Sequence, residues 1–184
     1  MPTHHSPPVA TLMPKRLEAL IRDIPDFPKP GIIFKDITPL LADPAGLALS
    51  VELMANPYRK AGVSLVVGAE SRGFIFGTAI AQSLNCGFIP VRKPGKLPSE
   101  RRSLTYDLEY GTDTLEIHAD AVGPTQRVLM VDDLLATGGT MRACCQLVES
   151  LGAEIVGVAV LIELAFLHGR DVIKPHPVTA VLTY

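Results

Sequence analysis

Apolar residues recur along this chain in two rhythms. Leu65-Val66-Val67, Gly87-Phe88-Ile89-Pro90-Val91, Val128-Leu129-Met130-Val131, Ile155 to Leu161 and Val178 to Leu182 have the length of strands. The run from Val128 to Val131 is uninterrupted, as suits a strand covered on both faces. Between these segments, Gly73 to Leu84 and Thr140 to Leu151 read as helices. Strands alternating with helices of ten or so residues predict an α/β fold, a central parallel β-sheet flanked by helices with right-handed crossovers. Ligands in such folds bind beyond the carboxyl ends of strands. Chemistry is therefore expected just after Val67, Val91 and Val131, and the three segments there are expected to converge on one cleft.

The remaining stretches break this alternation. A first helix is predicted from about Pro14 to Arg22, with Leu17, Leu20 and Ile21 on one face, stopped by Pro25, Pro28 and Pro30. Asp26 to Pro39 holds too many prolines for a helix and too many large apolar residues for a linker, so it reads as a shaped loop that covers something. A helix from about Pro44 to Lys60 turns Leu47, Val51, Leu53 and Met54 inward, and Asn56-Pro57 kinks it or ends it early. From Lys93 to Asp120 the pattern changes again. Tyr106, Leu108 and Tyr110, then Leu115, Ile117 and Ala119, alternate with polar residues, which predicts two antiparallel strands about the turn Gly111-Thr112-Asp113. Lys96 to Thr105, polar and charged, reads as a mobile loop of functional length.

Composition narrows the partners. A chain of 184 residues with 47% hydrophobic content is long enough for one well-cored domain without disulfides or metal staples. Seventeen basic against nineteen acidic residues give a net charge of −2, with no basic excess to grip a phosphate backbone. Small molecules are expected instead of nucleic acid. Cys86, Cys144 and Cys145 are odd in number and lack Cys-x-x-Cys spacing, so they read as small buried residues. Residues 1–14 have neither a basic segment nor an apolar core and read as a disordered extension, His4 and His5 included. No membrane span is expected, and the location expected is cytoplasmic.

The chemistry concentrates where the Val128 strand ends. Ala136-Thr137-Gly138-Gly139-Thr140 carries almost no side-chain bulk, so its backbone N–H groups can close around an anion at the mouth of a helix, with two threonine hydroxyls as further donors. Asp132 and Asp133, placed where strand becomes loop, repel phosphate but accept hydroxyl donors well. An acidic pair alone is as readily a solvated turn, and Gly-Gly alone is as readily a plain turn. In this order they describe a vicinal diol plus a phosphate, a ribose 5-phosphate. The Gly-x-x-x-x-Gly-Lys-Ser/Thr pattern is absent, which disfavours a nucleoside triphosphatase. Glu70-Ser71-Arg72-Gly73 offers Arg72, whose guanidinium suits pyrophosphate oxygens; a loop ion pair of Glu70 with Arg72 or a neighbour is the alternative. Arg92, Lys93, Lys96, Arg101 and Arg102 form a basic cluster that is either a solvated face or the cover of a highly anionic ligand.

The run from Asp132 to Thr140 resembles the ribose-phosphate motif of the type I phosphoribosyltransferases. Asp26-Phe-Pro-Lys-Pro-Gly-Ile-Ile-Phe-Lys-Asp-Ile, Glu70-Ser-Arg-Gly-Phe, Arg92-Lys-Pro-Gly-Lys-Leu-Pro, Tyr106-Asp-Leu-Glu-Tyr-Gly and Leu161-Ile-Glu-Leu extend the likeness from about Arg16 to Tyr184 and resemble the adenine-using branch of that family. The resemblance implies the family's fold, with a small N-terminal hood and a mobile antiparallel β-hairpin loop. It implies one domain over 15–184, of which 15–43 form the hood over the base site, and a homodimer. It also implies a cis peptide near Glu70-Ser71. The implied reaction joins adenine to phosphoribosyl pyrophosphate and gives AMP and pyrophosphate through an oxocarbenium-like state. Mg2+ is implied as cofactor, held mainly by substrate and water without direct protein ligands. Asp132 and Asp133 then hold the ribose hydroxyls, Ala136, Thr137, Gly138, Gly139 and Thr140 the 5-phosphate, and Arg72 and Lys93 the pyrophosphate. Ile33, Phe34 and Lys35 take the base, Phe34 by stacking. Glu109 is the catalytic candidate, facing N7 of adenine.

Two rivals stand beside this expectation. A regulatory protein could keep the motif to sense phosphoribosyl pyrophosphate without transfer, although the chain shows no basic face for an effector role on nucleic acid. The same chemistry on hypoxanthine, guanine or orotate differs only through the Phe34 and Glu109 segments.

Overall fold

The computed structural model describes residues 15–107 and 111–184. Two compact units divide between Ser50 and Val51, inside one helix.

The first unit begins with α1, residues 15–18. The helix expected as far as Arg22 is shorter, because Arg22 already opens β1 (Arg22–Pro25), which pairs antiparallel with β2 (Ile33–Asp36). The proline-rich cover is thus a two-stranded ribbon and not only a loop. Its register sets Arg22 opposite Asp36 and Asp23 opposite Lys35, and both couples form ion pairs, at 3.4 and 2.7 Å. Opposite charges facing across a ribbon favour that register. Asp26 Oδ1 accepts the Gly31 N–H at 2.8 Å and closes the turn between the strands. After α2 (Thr38–Ala42), the Asp43 carboxylate accepts the Gly46 N–H at 2.5 Å in the first turn of α3 (Pro44–Ala55).

Pro57 ends α3 as expected, and Asn56–Tyr58 tightens into a single 3₁₀ turn. That turn buries Tyr58, whose hydroxyl lies 3.1 Å from both the Val158 carbonyl and Thr179 Oγ1. The second unit then builds β3 (Leu65–Ala69), α4 (Gly73–Leu84) and β4 (Gly87–Val91). Next come β5 (Arg101–Asp107), β6 (Thr112–His118), β7 (Arg127–Leu135) and α5 (Gly139–Ser150). The chain closes with β8 (Glu154–Glu163), the short α6 (Gly169–Val172) and β9 (Val178–Thr183). The sheet is parallel throughout in the order β4-β3-β7-β8-β9, which confirms the predicted α/β architecture. Its core joins Val67, Val128, Met130, Val158 and Val160 to Cys144, Leu147 and Val148 of α5 and to Leu115 and Ile117 of β6. Cys144 and Cys145 are buried among these apolar neighbours, and burial raises both thiols, Cys145 to about 12, so they pack as hydrophobes.

Two elements run further than their sequence patterns indicated. Arg101 to Thr105, read as mobile loop, is the first part of β5 and pairs residue by residue with Thr114 to His118. Its polar residues are held from the opposite strand: buried Glu116 accepts Arg101 Nε at 3.0 Å, Ser103 Oγ at 3.2 Å and the Gly95 N–H at 3.1 Å. β7 likewise does not stop at Val131. Its ladder with β3 ends at Gly68 opposite Val131, but the ladder with β8 continues through Asp132, Leu134 and Leu135. The acidic pair is therefore strand, not loop.

Candidate active site

The projecting end of β7 forms one wall of a cleft of about 260 Å³. Glu70, Ser71 and Arg72 bound it on the β3 side, and Ala136, Gly138, Thr140 and Met141 bound it at the start of α5. Two segments far apart in sequence, 70–72 and 132–141, meet there because α4 lies against the sheet. Helix and sheet approach so closely at Gly73 and Gly77 that a Cβ at Gly77 would come within 2.5 Å of the Phe88 ring. The Glu70–Ser71 peptide that precedes α4 is cis, as the resemblance implied.

The two aspartates differ in surroundings. Asp133 is buried, and Arg72 Nη1 lies 3.0 Å from its Oδ2. This is an ion contact without hydrogen-bond alignment, and Asp133 Oδ2 has no hydrogen-bond partner among the described residues. Asp132 Oδ1 accepts the Asp133 N–H at 2.8 Å. Burial, and then the charge of Asp133, pushes the Asp132 carboxyl well above its usual value. Burial raises Asp133 as well, with Arg72 opposing. Two desolvated carboxylates side by side favour the arrival of hydroxyl donors or positive charge.

The loop from Ala136 to Thr140 is shaped at Gly138, whose φ of +87° is costly for residues with a Cβ. A Cβ there would also lie 2.6 Å from the Gly169 carbonyl. α6 backs the loop this tightly because Arg170 grips buried Glu163 at the end of β8 through Nε at 2.5 Å and Nη2 at 2.6 Å. Gly138 caps α5, and no acidic residue occupies that helix's first turn. An anion is thus favoured at the helix N-terminus by the exposed N–H groups and the helix dipole.

The basic cluster is organised by acids, among them Glu70, the expected ion-pair former, Asp113 and Glu116. Glu70 accepts the Lys93 N–H at 2.9 Å, pairs with Arg92 at 3.4 Å and contacts the Lys96 ammonium. Burial opposes ionisation of Glu70, but Lys96, the Lys93 N–H and Arg92 together hold it below the usual range. The Lys93 ammonium is paired with Asp113 of β6. Arg101 is committed to Glu116. The signal for Glu70 and Asp113 was only their charge near a basic run, since their partners are brought together by the fold.

Arg72, Asp132, Asp133, Ala136, Gly138 and Thr140 therefore converge on the cleft, with Thr137 and Gly139 in the same loop. Ile33, Phe34 and Lys35 lie in β2 of the first unit and not in a loop. Phe34 meets Phe27 edge-on with centroids 5.2 Å apart, and the Lys35 ammonium pairs with Asp23. Glu109 lies outside the described residues. Among those residues no group of three or more histidine, cysteine or acidic side chains is gathered for a metal. None of their helices is long and apolar enough to cross a membrane.

Comparison with known proteins gives a consistent result. The phosphoribosyl transferase domain matches residues 36–179. A relative from Nitrosococcus oceani named adenine phosphoribosyltransferase is 55% identical over 170 residues, which span 92% of this chain and 99% of that protein. The crystal structure of adenine phosphoribosyltransferase from Thermoanaerobacter pseudethanolicus is 49% identical, with a TM-score of 0.90 over 93% of this chain and 99% of the other. The Saccharomyces cerevisiae enzyme, solved with an imino-altritol bisphosphate and adenine, is 36% identical, with a TM-score of 0.88 over 94% of this chain and 99% of the other.

Proposed function

Since this chain belongs to the phosphoribosyl transferase family, we infer that it joins adenine to 5-phosphoribosyl 1-pyrophosphate and releases AMP and pyrophosphate. One observation carries this reading. An acidic pair, a small-residue loop at a helix N-terminus and an arginine face a single cleft, the complement of a ribose with phosphate at both ends. The adenine-specific names of relatives more than half identical to this chain support the choice of base.

In the reaction the bond from C1 to the pyrophosphate oxygen breaks as a base nitrogen bonds to C1, and the ring gains positive charge on the way. Asp132 and Asp133 accept the ribose hydroxyls and lie beside that developing charge. Burial raises both carboxyls, and the charge of Asp133 raises Asp132 further; arriving positive charge relieves that cost, so the interaction strengthens toward the transition state. The loop 136–140 holds the 5-phosphate and fixes C1 in place. Arg72 and Lys93 are assigned to the leaving pyrophosphate, for which Arg72 shares its charge between Asp133 and the ligand. The base is assigned to Ile33, Phe34 and Lys35 on the likeness of their segment. Glu109 is assigned to N7 of adenine, where a carboxyl can donate and a carboxylate accept.

The cleft suits Mg2+ held chiefly through substrate, because its oxygens are hard carboxylate donors and too few for a protein cage. When bound, the ion neutralises pyrophosphate charge. A homodimer in the cytoplasm is proposed on family likeness alone, and sedimentation would check the dimer.

Pyrophosphate release with adenine, hypoxanthine, guanine and orotate in turn tests the reading. Release with adenine is expected, and binding of phosphoribosyl pyrophosphate without turnover would refute it. Glu109→Leu is expected to lower kcat, while near-normal kcat in a folded variant would remove Glu109 from the mechanism.

A further inference from the structure

Tyr106 stands directly opposite Asp113 in the β5–β6 ladder. Its hydroxyl lies 3.2 Å from Asp113 Oδ2 and 3.1 Å from Thr140 Oγ1, the last residue of the phosphate loop. Its ring lies beside Gly139, where an added Cβ would sit 3.9 Å from the ring edge. The hairpin is thus tied by one phenol to the loop assigned to the 5-phosphate.

This tie competes with the ligand for one proton. Burial opposes the charge on Asp113, but the Lys93 ammonium and the Thr114 N–H at 2.8 Å hold it below the ordinary carboxylate value, so it is ionised and can only accept. Burial raises the Tyr106 phenol, so it keeps its single proton. Tyr106 donates that proton to Asp113 and must accept from Thr140. The only hydroxyl proton of Thr140 is then engaged with Tyr106.

We propose that Tyr106 is a positioning residue that couples occupancy of the 5-phosphate site to the hairpin, by holding the Thr140 proton until a phosphate oxygen takes it. This rests on the assignment of the 5-phosphate to the loop 136–140. When Thr140 donates to phosphate, Tyr106 has two choices. It keeps Asp113 and meets Thr140 lone pair to lone pair, or it turns its proton to Thr140 and leaves Asp113 to Lys93. Either way Tyr106 loses one of its two hydrogen bonds, and the hairpin is loosened by the ligand that it borders.

Ribose 5-phosphate is the probe, titrated calorimetrically into the full chain as wild type, Tyr106→Phe and Thr140→Ala, with hydrogen exchange followed over residues 101–107 and 112–118. Removing the competing phenol is expected to tighten ribose 5-phosphate binding about 3- to 10-fold, the effect of one hydrogen bond. In the wild type the ligand speeds hairpin exchange. In Tyr106→Phe exchange starts fast and the ligand adds nothing. Equal or weaker binding by Tyr106→Phe overturns the proposal, as does wild-type exchange that ribose 5-phosphate leaves unchanged or slows. The wild-type exchange decides alone if Tyr106→Phe does not fold. Wild type that binds no ribose 5-phosphate refutes the phosphate assignment itself, whereas a Thr140→Ala variant in which ribose 5-phosphate still speeds hairpin exchange overturns the coupling through Thr140.

Discussion

Gly73→Ala would place one methyl group between α4 and the acidic pair. Its Cβ would sit 2.9 Å from Asp132 Oδ1, 3.0 Å from the Val131 carbonyl oxygen and 3.4 Å from Asp132 Cα. Two of these three atoms are sheet backbone and cannot swing aside. Overpacking of this kind costs about 1 to 3 kcal/mol. Alanine is better than glycine in a helix interior by about 1 kcal/mol, but at the first residue of α4 only a fraction of that is available. The steric effect wins, for a net loss of about 1 to 2 kcal/mol and a fall in Tm of about 2 to 8 °C for a chain of this size. The displaced oxygen is the one that accepts the Asp133 N–H, so both carboxylates move. A misplacement of about 1 Å can cost about 100-fold. A shift of a few tenths of that is expected to lower kcat/KM for phosphoribosyl pyrophosphate by roughly 3- to 10-fold, with KM for adenine unchanged. Gly123→Ala is the control, since its Cβ meets nothing within 4 Å. Urea unfolding and pyrophosphate release read both quantities. If Gly73→Ala matched Gly123→Ala in stability and in kcat/KM for phosphoribosyl pyrophosphate, the close approach would not govern the site.

The acidic groups predict opposite pH behaviour. Asp132 is raised in the folded state, by burial first and by Asp133 next, so its ionisation opposes folding at neutral pH and that penalty fades as pH falls through the folded value. Asp132→Asn should therefore raise the Tm of the unliganded protein at pH 7, by an amount that shrinks on acidification, while abolishing turnover; a lower Tm at pH 7 would count against this. Glu116 is lowered: burial opposes its charge, but the Gly95 N–H, Ser103 and Arg101 outweigh it. Its contribution is present above the unfolded value of 4.5 and is lost as pH falls through the lower folded value. The urea midpoints of wild type and Glu116→Gln should differ at neutral pH and converge on acidification below that value, whereas a gap independent of pH would exclude the mechanism.

The parallel sheet was legible because each of its strands is a short apolar run, and α4 and α5 because each lies between two of them. The cleft was legible for a related reason: ligands in parallel sheets gather where strands end, and the segments after Val67 and Val131 do meet, whereas the one after Val91 does not line the cleft, its Lys93 ammonium being paired with Asp113. Pairing decided what was misread. Arg101 to Thr105 hold a single apolar residue, Leu104, and become a strand only through pairing with β6, where buried Glu116, fifteen residues on from Arg101, accepts from Arg101 and Ser103. β1 and β2 are four residues each, fixed by cross-strand charges that no single segment displays. The place of Glu70 among Arg92, Lys93 and Lys96 likewise depends on β3 and β4 lying side by side.

The overhang of β7 past its ladder with β3 makes the sheet margin a stair, with a tread of four residues from Asp132 to Leu135. At about 3.3 Å per residue the tread is about 13 Å long. Its dimensions are therefore counted in residues and not adjusted by loops. Lengthening β3 by one or two ladder steps would fill the stair with protein. A single residue inserted into β7 before Asp132 would turn each aspartate to the face its neighbour had occupied. Loops around this margin are free to vary in length and chemistry, whereas the lengths of two adjacent strands are not.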